Sequence, residues 1–198
     1  YALSSAQGLS GIAVIRISGD KTGEVVKLLT GANLPNPRLA TLKKFNKINS
    51  SELIDEGILM WFPGPQSYTG EDMAEIHVHG SIAVVRSILD QLSKIENCRL
   101  AEPGEFTKIA FQNEKINLLK AESISDLISA ETEIQRQQAI QIMSGRSSEK
   151  FNSLRESLLK ILSNVEAKID FPEEDLPDDL IKNIKNDTEK IRKEIEKI

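Results

Sequence analysis

Three side chains that can bind metals or polar ligands alternate along one short segment. Glu75, His77 and His79 occupy every second position, and alternate residues of a β-strand share a face, ~7 Å apart in successive pairs. Such a row fits a zinc or iron site, a plain solvent-exposed strand face, or the polar wall of a ligand pocket. The sequence has no distant His or Cys pair to complete a catalytic metal site, so we predict no metal here.

Arg16 is the second unusual residue, because a charge here interrupts a short apolar run. The segment 11–18 predicts a buried strand, and Arg16 shares one face of it with Ile12 and Val14. A charge at such a place is costly unless it is paired. Two interpretations are open: a salt bridge to a nearby carboxylate, or an anchor for an anion, since guanidinium binds carboxylates through paired hydrogen bonds.

Two loops and one lysine add polar groups to these. The segment 67–72 (Ser-Tyr-Thr-Gly-Glu-Asp) is a polar loop suited to tight turns and backbone donors. The segment 103–107 (Pro-Gly-Glu-Phe-Thr) predicts the start of a helix, whose free N–H groups suit an anion. Lys115 lies at the entrance to the second half of the chain, and a lysine at such a place is most often simply solvated.

Several other chemistries lack the residues they need. With two His, one Cys and no Gly-x-Ser-x-Gly segment, acyl transfer has no nucleophile and base. No Gly-x4-Gly-Lys-Ser/Thr loop is present, so this part of the chain does not bind GTP in the usual way. Cys98, the single cysteine, excludes an internal disulfide and fits a reducing compartment. We predict that it is a small core residue.

Composition places the chain among soluble globular proteins. The net charge of −5 and the pI near 5.3 give no sign of a basic face for nucleic acid. No apolar run is long enough to span a bilayer, no signal peptide is evident, and we expect a cytoplasmic protein. The first residue is Tyr1, and the charged helical pattern of residues 187–198 lacks a stop signal, so we expect a part of a longer chain.

The elements that must position these residues differ between the two halves of the sequence. Residues 1–112 mix strand and helix patterns, as in an α+β domain. Strands are predicted over 11–18, 38–45, 54–62, 71–79 and 98–101, and helices over 20–29, where Gly31 is a natural C-cap, and from Ile82 to Leu92.

From about Lys115 the period is helical throughout. Helices are predicted over 116–130, 134–143 and 147–169, and the third carries a long apolar stripe. The segment 171–177 predicts a rigid acidic connector. A spacing of three and four residues then follows, in which Thr188 fills the one position that is not isoleucine: Ile181, Ile184, Ile191, Ile195 and Ile198. Apolar stripes of this length need a partner face.

The wording of several motifs goes further than periodicity. In order along the chain they are Gly-Ile-Ala-Val-Ile-Arg-Ile-Ser-Gly (11–19), Trp-Phe-Pro-Gly-Pro-Gln-Ser-Tyr-Thr-Gly-Glu-Asp (61–72), His-Gly (79–80), Pro-Gly-Glu-Phe-Thr (103–107), Ala-Phe-Gln-Asn-Glu-Lys (110–115) and Ala-Lys-Ile-Asp-Phe-Pro-Glu-Glu (167–174). Together, in this order and spacing, they resemble the tRNA-modification GTPase family MnmE (TrmE) across nearly the whole chain.

The resemblance implies two domains. Residues 1–113 would form an α+β domain with the folate-binding fold of the glycine-cleavage aminomethyltransferase, which also mediates homodimer formation. Residues 114–198 would be an all-α segment, the first part of a helical domain. The GTPase domain, which depends on potassium and magnesium, the returning helices and the family's catalytic cysteine are absent from this sequence, so no catalytic residue is predicted within it.

The resemblance also implies a function. Members of the family work with the flavin-dependent partner MnmG to add a carboxymethylaminomethyl-type group to the wobble uridine of certain tRNAs. The proposed one-carbon donor is 5-formyltetrahydrofolate or a related tetrahydrofolate, and the positions matching the family's folate contacts are Arg16, Glu75 and Lys115. We infer that Glu75 accepts hydrogen bonds from adjacent N–H groups of the pterin, and that Arg16 and Lys115 pair with the anionic glutamate tail.

One departure and one alternative accompany this resemblance. The family commonly has Thr-Pro-Pro-Gly-Arg-Gly-Gly before the first strand, whereas residues 4–11 here are Ser-Ser-Ala-Gln-Gly-Leu-Ser-Gly, which lacks the basic residue. The alternative function is a stand-alone folate-binding or dimerisation module without tRNA-modifying activity. A Walker-type loop encoded within a few tens of residues after Ile198 would favour the enzyme, and a stop codon would favour the module.

Overall fold

An antiparallel sheet organises the first part of the chain. The computed structural model describes residues 1–170 and 180–196, and within these the sheet has five strands. They are β1 (Ala2–Leu3), β2 (Ser10–Ser18), β3 (Thr41–Asn46), β4 (Leu53–Phe62) and β5 (Met73–Gly80), in the spatial order β1-β2-β5-β4-β3. Each neighbouring pair is antiparallel. β5 is therefore a central strand, hydrogen-bonded to β2 on one side and to β4 on the other.

Two helices cover one face of this sheet. α1 (Thr22–Thr30) contacts β3 and β5, and α2 (Ile82–Ser93) contacts β4 and β5. α1 ends as predicted at Gly31, whose φ of 62° lies in the left-handed region that glycine adopts without strain. Apolar residues at alternate strand positions form the core with these helices: Ala13, Ile15, Ile17, Phe45, Leu59, Trp61, Ala74, Ile76 and Val78 from the strands, and Val25, Val26, Leu29, Ile88 and Leu92 from the helices.

The sheet thus has a covered face and an open face. Ile15 and Ile76 are fully buried under the helices. Arg16 and Glu75, their neighbours in sequence, point to the opposite face because strand side chains alternate. This open face also carries exposed apolar side chains, among them Ile12 and Leu42. The candidate polar residues therefore lie outside the main core.

Two strand predictions differ from the structure. Residues 98–101 form no strand. The N–H of Ala101 donates to the carbonyl of Tyr1 at 2.8 Å, but the segment pairs with none of the five strands. The strand predicted from residue 38 begins only at Thr41, because Arg38 has a φ of 60° and so cannot continue an extended chain. The other strand and helix predictions hold to within a few residues.

The remaining elements are helical, as predicted. α3 (Glu105–Gln112) follows the Pro-Gly segment, and α4 (Leu118–Ser129), α5 (Glu133–Met143), α6 (Arg146–Asp170) and α7 (Leu180–Ile195) complete the described residues. By their contacts these residues divide into one compact unit of residues 1–121 and a second that begins at Glu122. The predicted connector 171–177 and Ile198 lie outside the described residues, and the predicted boundary between residues 113 and 114 stays a prediction.

Within the second unit α6 packs against α5 and α7. Thr132 caps α5 with a capping box, in which its side chain accepts from the N–H of Gln135 and the Gln135 side chain accepts from Thr132 in return. Leu154 of α6 and Ile191 of α7 are buried. In the described ranges, no helix has the length and apolar character required to cross a bilayer.

Candidate functional site

The structure brings Arg16 and Glu75 into direct contact. They are directly opposite each other in the antiparallel pair of β2 and β5, where cross-strand side chains meet. Nη2 and Nε of Arg16 donate to the same oxygen of Glu75, Oε1, at 2.7 and 3.0 Å. The salt bridge that Arg16 was predicted to need therefore forms with another predicted site residue. The Arg16 and Glu75 side chains are 28% and 16% exposed, so the pair is accessible from the open face.

Two aromatic rings flank the guanidinium of Arg16. Its Cζ lies 5.6 Å from the ring centroids of Tyr68 and Phe106, within the range of cation–π attraction. Tyr68 belongs to the 67–72 loop and Phe106 to the first turn of α3, and the Tyr68 hydroxyl hydrogen-bonds the Thr107 hydroxyl at 2.9 Å. Sequence reasoning singled out both segments but gave these aromatic side chains no role. Their alignment over Arg16 needs a loop and a helix that only the folded chain brings together.

Lys115 is held in place by the end of α3. Its N–H donates to the carbonyl of Ala110 at 2.8 Å, and the N–H of Glu114 donates to that of Phe111 at 3.0 Å. Glu114 has a φ of 56°, and this combination is a Schellman motif with a non-glycine residue in the left-handed position. The turn fixes the direction in which the exposed Lys115 side chain leaves the helix.

The absence of a side chain at Gly70 leaves the space that the Lys115 side chain occupies. A Cβ built on Gly70, whose φ is 84°, would lie 2.8 Å from Cε of Lys115 and 3.2 Å from Cβ of Asn113. Asn113 also donates from Nδ2 to the carbonyl of Thr69 at 2.7 Å. The 67–72 loop therefore contacts Arg16 through Tyr68 and Lys115 through Gly70, and so relates all three predicted residues.

Hydrogen bonds within and around the loop hold its shape. The Ser18 hydroxyl donates to Glu71 Oε2 at 2.9 Å and lies 2.6 Å from the hydroxyl of Thr69. Thr69 is fully buried. The N–H of Gly64 donates to the carboxylate of Asp72 at 2.8 Å. A loop tied down in this way presents a defined surface rather than one that must be ordered when a ligand binds.

The two histidines of the predicted polar row have different surroundings. Nδ1 of His79, an exposed residue, lies 2.9 and 3.1 Å from the two carboxylate oxygens of Asp55. Partial burial acts to raise the pKa of Asp55, but the hydrogen bonds from the backbone and ring of His79 outweigh it and lower that pKa. His77 lies beside Glu75, with Nε2 3.6 Å from Oε2. In the part of the chain that the structure describes, no group of three ligand-type residues is arranged to hold a metal ion.

A cavity of about 350 Å³ lies next to this site, within the range of ligand pockets. It shares Ser18, Glu71 and Phe106 with the surroundings of Arg16, but Arg16, Glu75 and Lys115 do not line it. Cys98 lines it too; its side chain is partly buried against the core, and this burial raises the pKa of the thiol. Cys98 therefore packs against the core as a partly buried residue and is not one of the buried core residues, as the sequence had predicted it to be.

Comparisons with known proteins cover nearly the whole chain. Residues 1–115 match the family model "GTP-binding protein TrmE N-terminus", and residues 118–198 match "MnmE helical domain". The tRNA modification GTPase MnmE of Pelagibacter ubique is 69% identical over 198 residues, which is 100% of this chain and 45% of the relative. That of Rickettsia akari is 48% identical over 195 residues, 98% of this chain and 44% of the relative. The chain therefore spans about half the length of the curated relatives it matches.

Proposed function

The chain belongs to the MnmE (TrmE) family of tRNA modification GTPases, and from this premise we propose that residues 1–115 bind a reduced folate at Arg16, Glu75 and Lys115. The ligand is 5-formyltetrahydrofolate or a related tetrahydrofolate, the one-carbon donor. The proposal includes the aminomethyltransferase-like folate-binding fold for this domain. The observation that carries it is the Arg16–Glu75 pair on the open face. The 67–72 loop contacts Arg16 through Tyr68 and Lys115 through Gly70.

The contacts of Glu75 suggest which part of the ligand each of the three residues binds. Arg16 uses two of its five N–H donors on Oε1 of Glu75, and these two hydrogen bonds orient the carboxylate. Oε2 then remains to accept an N–H of the pterin ring. Lys115 and the other N–H groups of Arg16 suit the carboxylates of the glutamate tail, and the rings of Tyr68 and Phe106 provide apolar surface beside them.

The open face of the sheet also supports the proposed homodimer. Ile12, Leu42 and Ile58 expose 64%, 65% and 39% of their surfaces there. Leu42, Ile58, His77 and Val14 lie in one row across four neighbouring strands. An apolar patch of this kind on an open sheet marks an interaction surface. We expect Ile58→Lys to shift the protein toward monomer in light scattering at a concentration where the parent protein is dimeric.

The activity of the longer protein is part of the proposal. With a potassium- and magnesium-dependent GTPase domain and the flavin-dependent partner MnmG, it would install a carboxymethylaminomethyl-type group on wobble uridine of tRNA in the cytoplasm. Because its net charge is −5, this part of the protein would contribute little of the binding affinity for tRNA. Its role would be to deliver the one-carbon unit and to hold two copies together.

Calorimetry with 5-formyltetrahydrofolate tests the site. Micromolar binding is expected for the parent chain, weakened at least about tenfold by either Glu75→Ala or Arg16→Ala, a loss of about 1.4 kcal/mol. Gly70→Ala, which would displace Lys115, should weaken binding similarly. Gly104→Ala is its matched control, because Gly104 also has a positive φ (76°) but no atom within 4 Å of the added Cβ. A folded protein that binds no reduced folate would overturn the assignment.

A further inference from the structure

Glu75 is fixed through only one of its two oxygens. Oε1 accepts both hydrogen bonds from Arg16, whereas Oε2 faces Nε2 of His77 at 3.6 Å, beyond hydrogen-bonding distance. No hydrogen bond to Oε2 is formed within the described residues. Oε2 is therefore the oxygen that a ligand would use, and His77 is the titratable group beside it.

His77 is held at this place without a polar partner of its own. Its Nε2 is buried and has no hydrogen bond within the described part of the chain. Its cross-strand neighbours, Val14 on β2 and Ile58 on β4, have no polar side-chain atoms to offer one. A buried polar atom left unpaired lowers the stability of the fold, because it has lost its hydrogen bonds to water. Such an atom next to a binding carboxylate points to a role that depends on its protonation.

We propose that His77 is a positioning residue for Glu75 in ligand binding. When the imidazole is neutral with its proton on Nδ1, Oε2 of Glu75 is left to accept an N–H of the pterin ring. When the imidazole is protonated, Nε2 donates to Oε2 and occupies the acceptor that the ligand needs. This inference rests on the proposed folate function and adds a second residue to the recognition of the pterin.

The chemistry follows from the change in hydrogen-bonding capacity. A neutral imidazole whose proton is on Nδ1 presents a lone pair to Oε2, while both nitrogens donate once the ring is protonated. A charge-assisted bond of about 2.7–2.9 Å then requires Nε2 and Oε2 to move together by less than about 1 Å from their present separation. A ligand N–H would have to displace this ion pair.

The charged groups around His77 determine how strongly it responds. Glu75 is the carboxylate beside the ring, and Arg16 is hydrogen-bonded to the other oxygen of that carboxylate. The facing residues of β2 and β4, Val14 and Ile58, do not titrate. His79, two residues along β5, is engaged by Asp55. His77 is thus the histidine coupled directly to the proposed site, and His79 serves as its internal control.

The test is the pH dependence of 5-formyltetrahydrofolate binding, measured by calorimetry between about pH 5.5 and pH 8, the range in which histidine changes its charge. Parent protein should bind at least about tenfold more weakly at the acid end. His77→Phe should lose most of this dependence, and His77→Lys should bind weakly throughout. His79→Gln should follow the parent profile. Titration of the ligand's own groups is common to all four proteins and cancels in the comparison.

A second measurement needs no variant. Because binding and protonation are reciprocal, saturating folate should move the NMR titration midpoint of the His77 ring to lower pH and leave that of His79 in place. An unmoved His77 midpoint, or a pH profile unchanged in a folded His77→Phe protein, would overturn the role of His77 while the folate site stands. Absence of binding by the parent protein at pH 8 would instead overturn the folate proposal itself.

Discussion

The two units of the chain contain equally regular amphipathic patterns but bury them to different extents. In residues 1–121 the alternating strands and the helices α1 and α2 meet in one continuous core, with Ile15, Leu59 and Ile76 fully buried. In the second unit, buried apolar residues among those described are Ala139, Leu154 and Ile191. Much of the apolar surface of α6 is exposed: Phe151 by 48%, Leu158 by 48%, Leu162 by 51% and Ile169 by 69%.

The difference lies in the partners that each pattern finds. Each inner strand of the first unit, β2, β5 or β4, has a neighbour on both sides, and α1 and α2 cover one face of the sheet. All of these elements lie within the same 121 residues. α6 has α5 and α7, and two helices cover only part of the circumference of a third. Amphipathic periodicity therefore predicts which side of an element is apolar, while burial depends on what other elements are present.

The largest expected difference comes from removing apolar atoms. Ile76→Ala should lower the free energy of unfolding of the first unit by about 2–5 kcal/mol, because Ile76 is fully buried on the central strand and its removal leaves a cavity. Leu162→Ala on α6 should cost less than about 1 kcal/mol, because about half of the side chain is already in water. Urea unfolding checks both, followed by fluorescence of Trp61 for the first unit and by circular dichroism for the helices.

Trp61 is the single tryptophan and is buried in the first unit, so its signal isolates that unit. If Leu162→Ala destabilised the helices as strongly as Ile76→Ala destabilises the sheet, the exposed apolar surface of α6 would have to be covered in solution. The contrast between the units would then be wrong.

The next contrast adds atoms instead of removing them. A Cβ on Gly57 would lie 2.1 Å from the carbonyl oxygen of His77, a backbone atom that cannot move aside. Gly57→Ala should therefore cost about 3 kcal/mol. Gly145→Ala, between α5 and α6, meets no atom within 4 Å and carries only the strain of its φ of 91°, about 1 kcal/mol. Thermal unfolding of both variants gives the comparison, and equal losses would contradict it.

These contrasts also show what the sequence could and could not predict. Alternation placed Glu75 on the polar face of its strand and Arg16 on a face shared with Ile12 and Val14, but their contact depends on the register of β2 against β5, two strands separated by more than fifty residues. Nothing local to either strand encodes that register. Likewise, the prediction of a strand at 98–101 followed local residue type, whereas the structure offers that segment no strand partner beyond Tyr1.

The Lys115 turn is a similar case. The left-handed conformation that completes the Schellman motif is expected of glycine or asparagine, yet Glu114 adopts it here. A sequence rule would have placed the end of the helix elsewhere. Position 115 was selected by the resemblance to the MnmE family, and the geometry that directs its side chain became visible only in the folded chain.

A smaller effect is expected from the helix caps. The Ser81 hydroxyl accepts from the N–H of Val84 and begins α2, which packs on the sheet. Ser81→Ala should lower the stability of the first unit by about 1 kcal/mol and shift its whole unfolding transition. Thr132→Ala removes the cap of α5, and there the loss should appear as faster hydrogen exchange in the first turn of that helix alone. A global shift from Thr132→Ala would show that the second unit unfolds as cooperatively as the first.

The smallest expected effect distinguishes two carboxyl groups by their response to salt. The pKa of Glu105 is lowered to about 2 by hydrogen bonds from the Arg99 guanidinium and the N–H of Glu102. The pKa of Glu133 is lowered to about 2 by hydrogen bonds from Arg136 and Gln137. Both groups therefore stabilise their units above the ordinary pKa of glutamate, and this contribution is lost as the pH falls toward 2.

Their surroundings differ as the two units do. The Glu105 side chain is 15% exposed and that of its partner Arg99 is 70% exposed, whereas the side chains of Glu133 and Arg136 are 62% and 51% exposed and lie one helical turn apart. The difference therefore lies in the two carboxylates and not in their arginines. At 1 M salt the screening length falls to about 3 Å, and an exposed carboxylate is screened more fully than a partly covered one. NMR titration should therefore show the pKa of Glu133 rising toward its ordinary value in high salt by more than that of Glu105. Equal rises would mean that the Glu105 carboxylate is as open to solvent as that of Glu133.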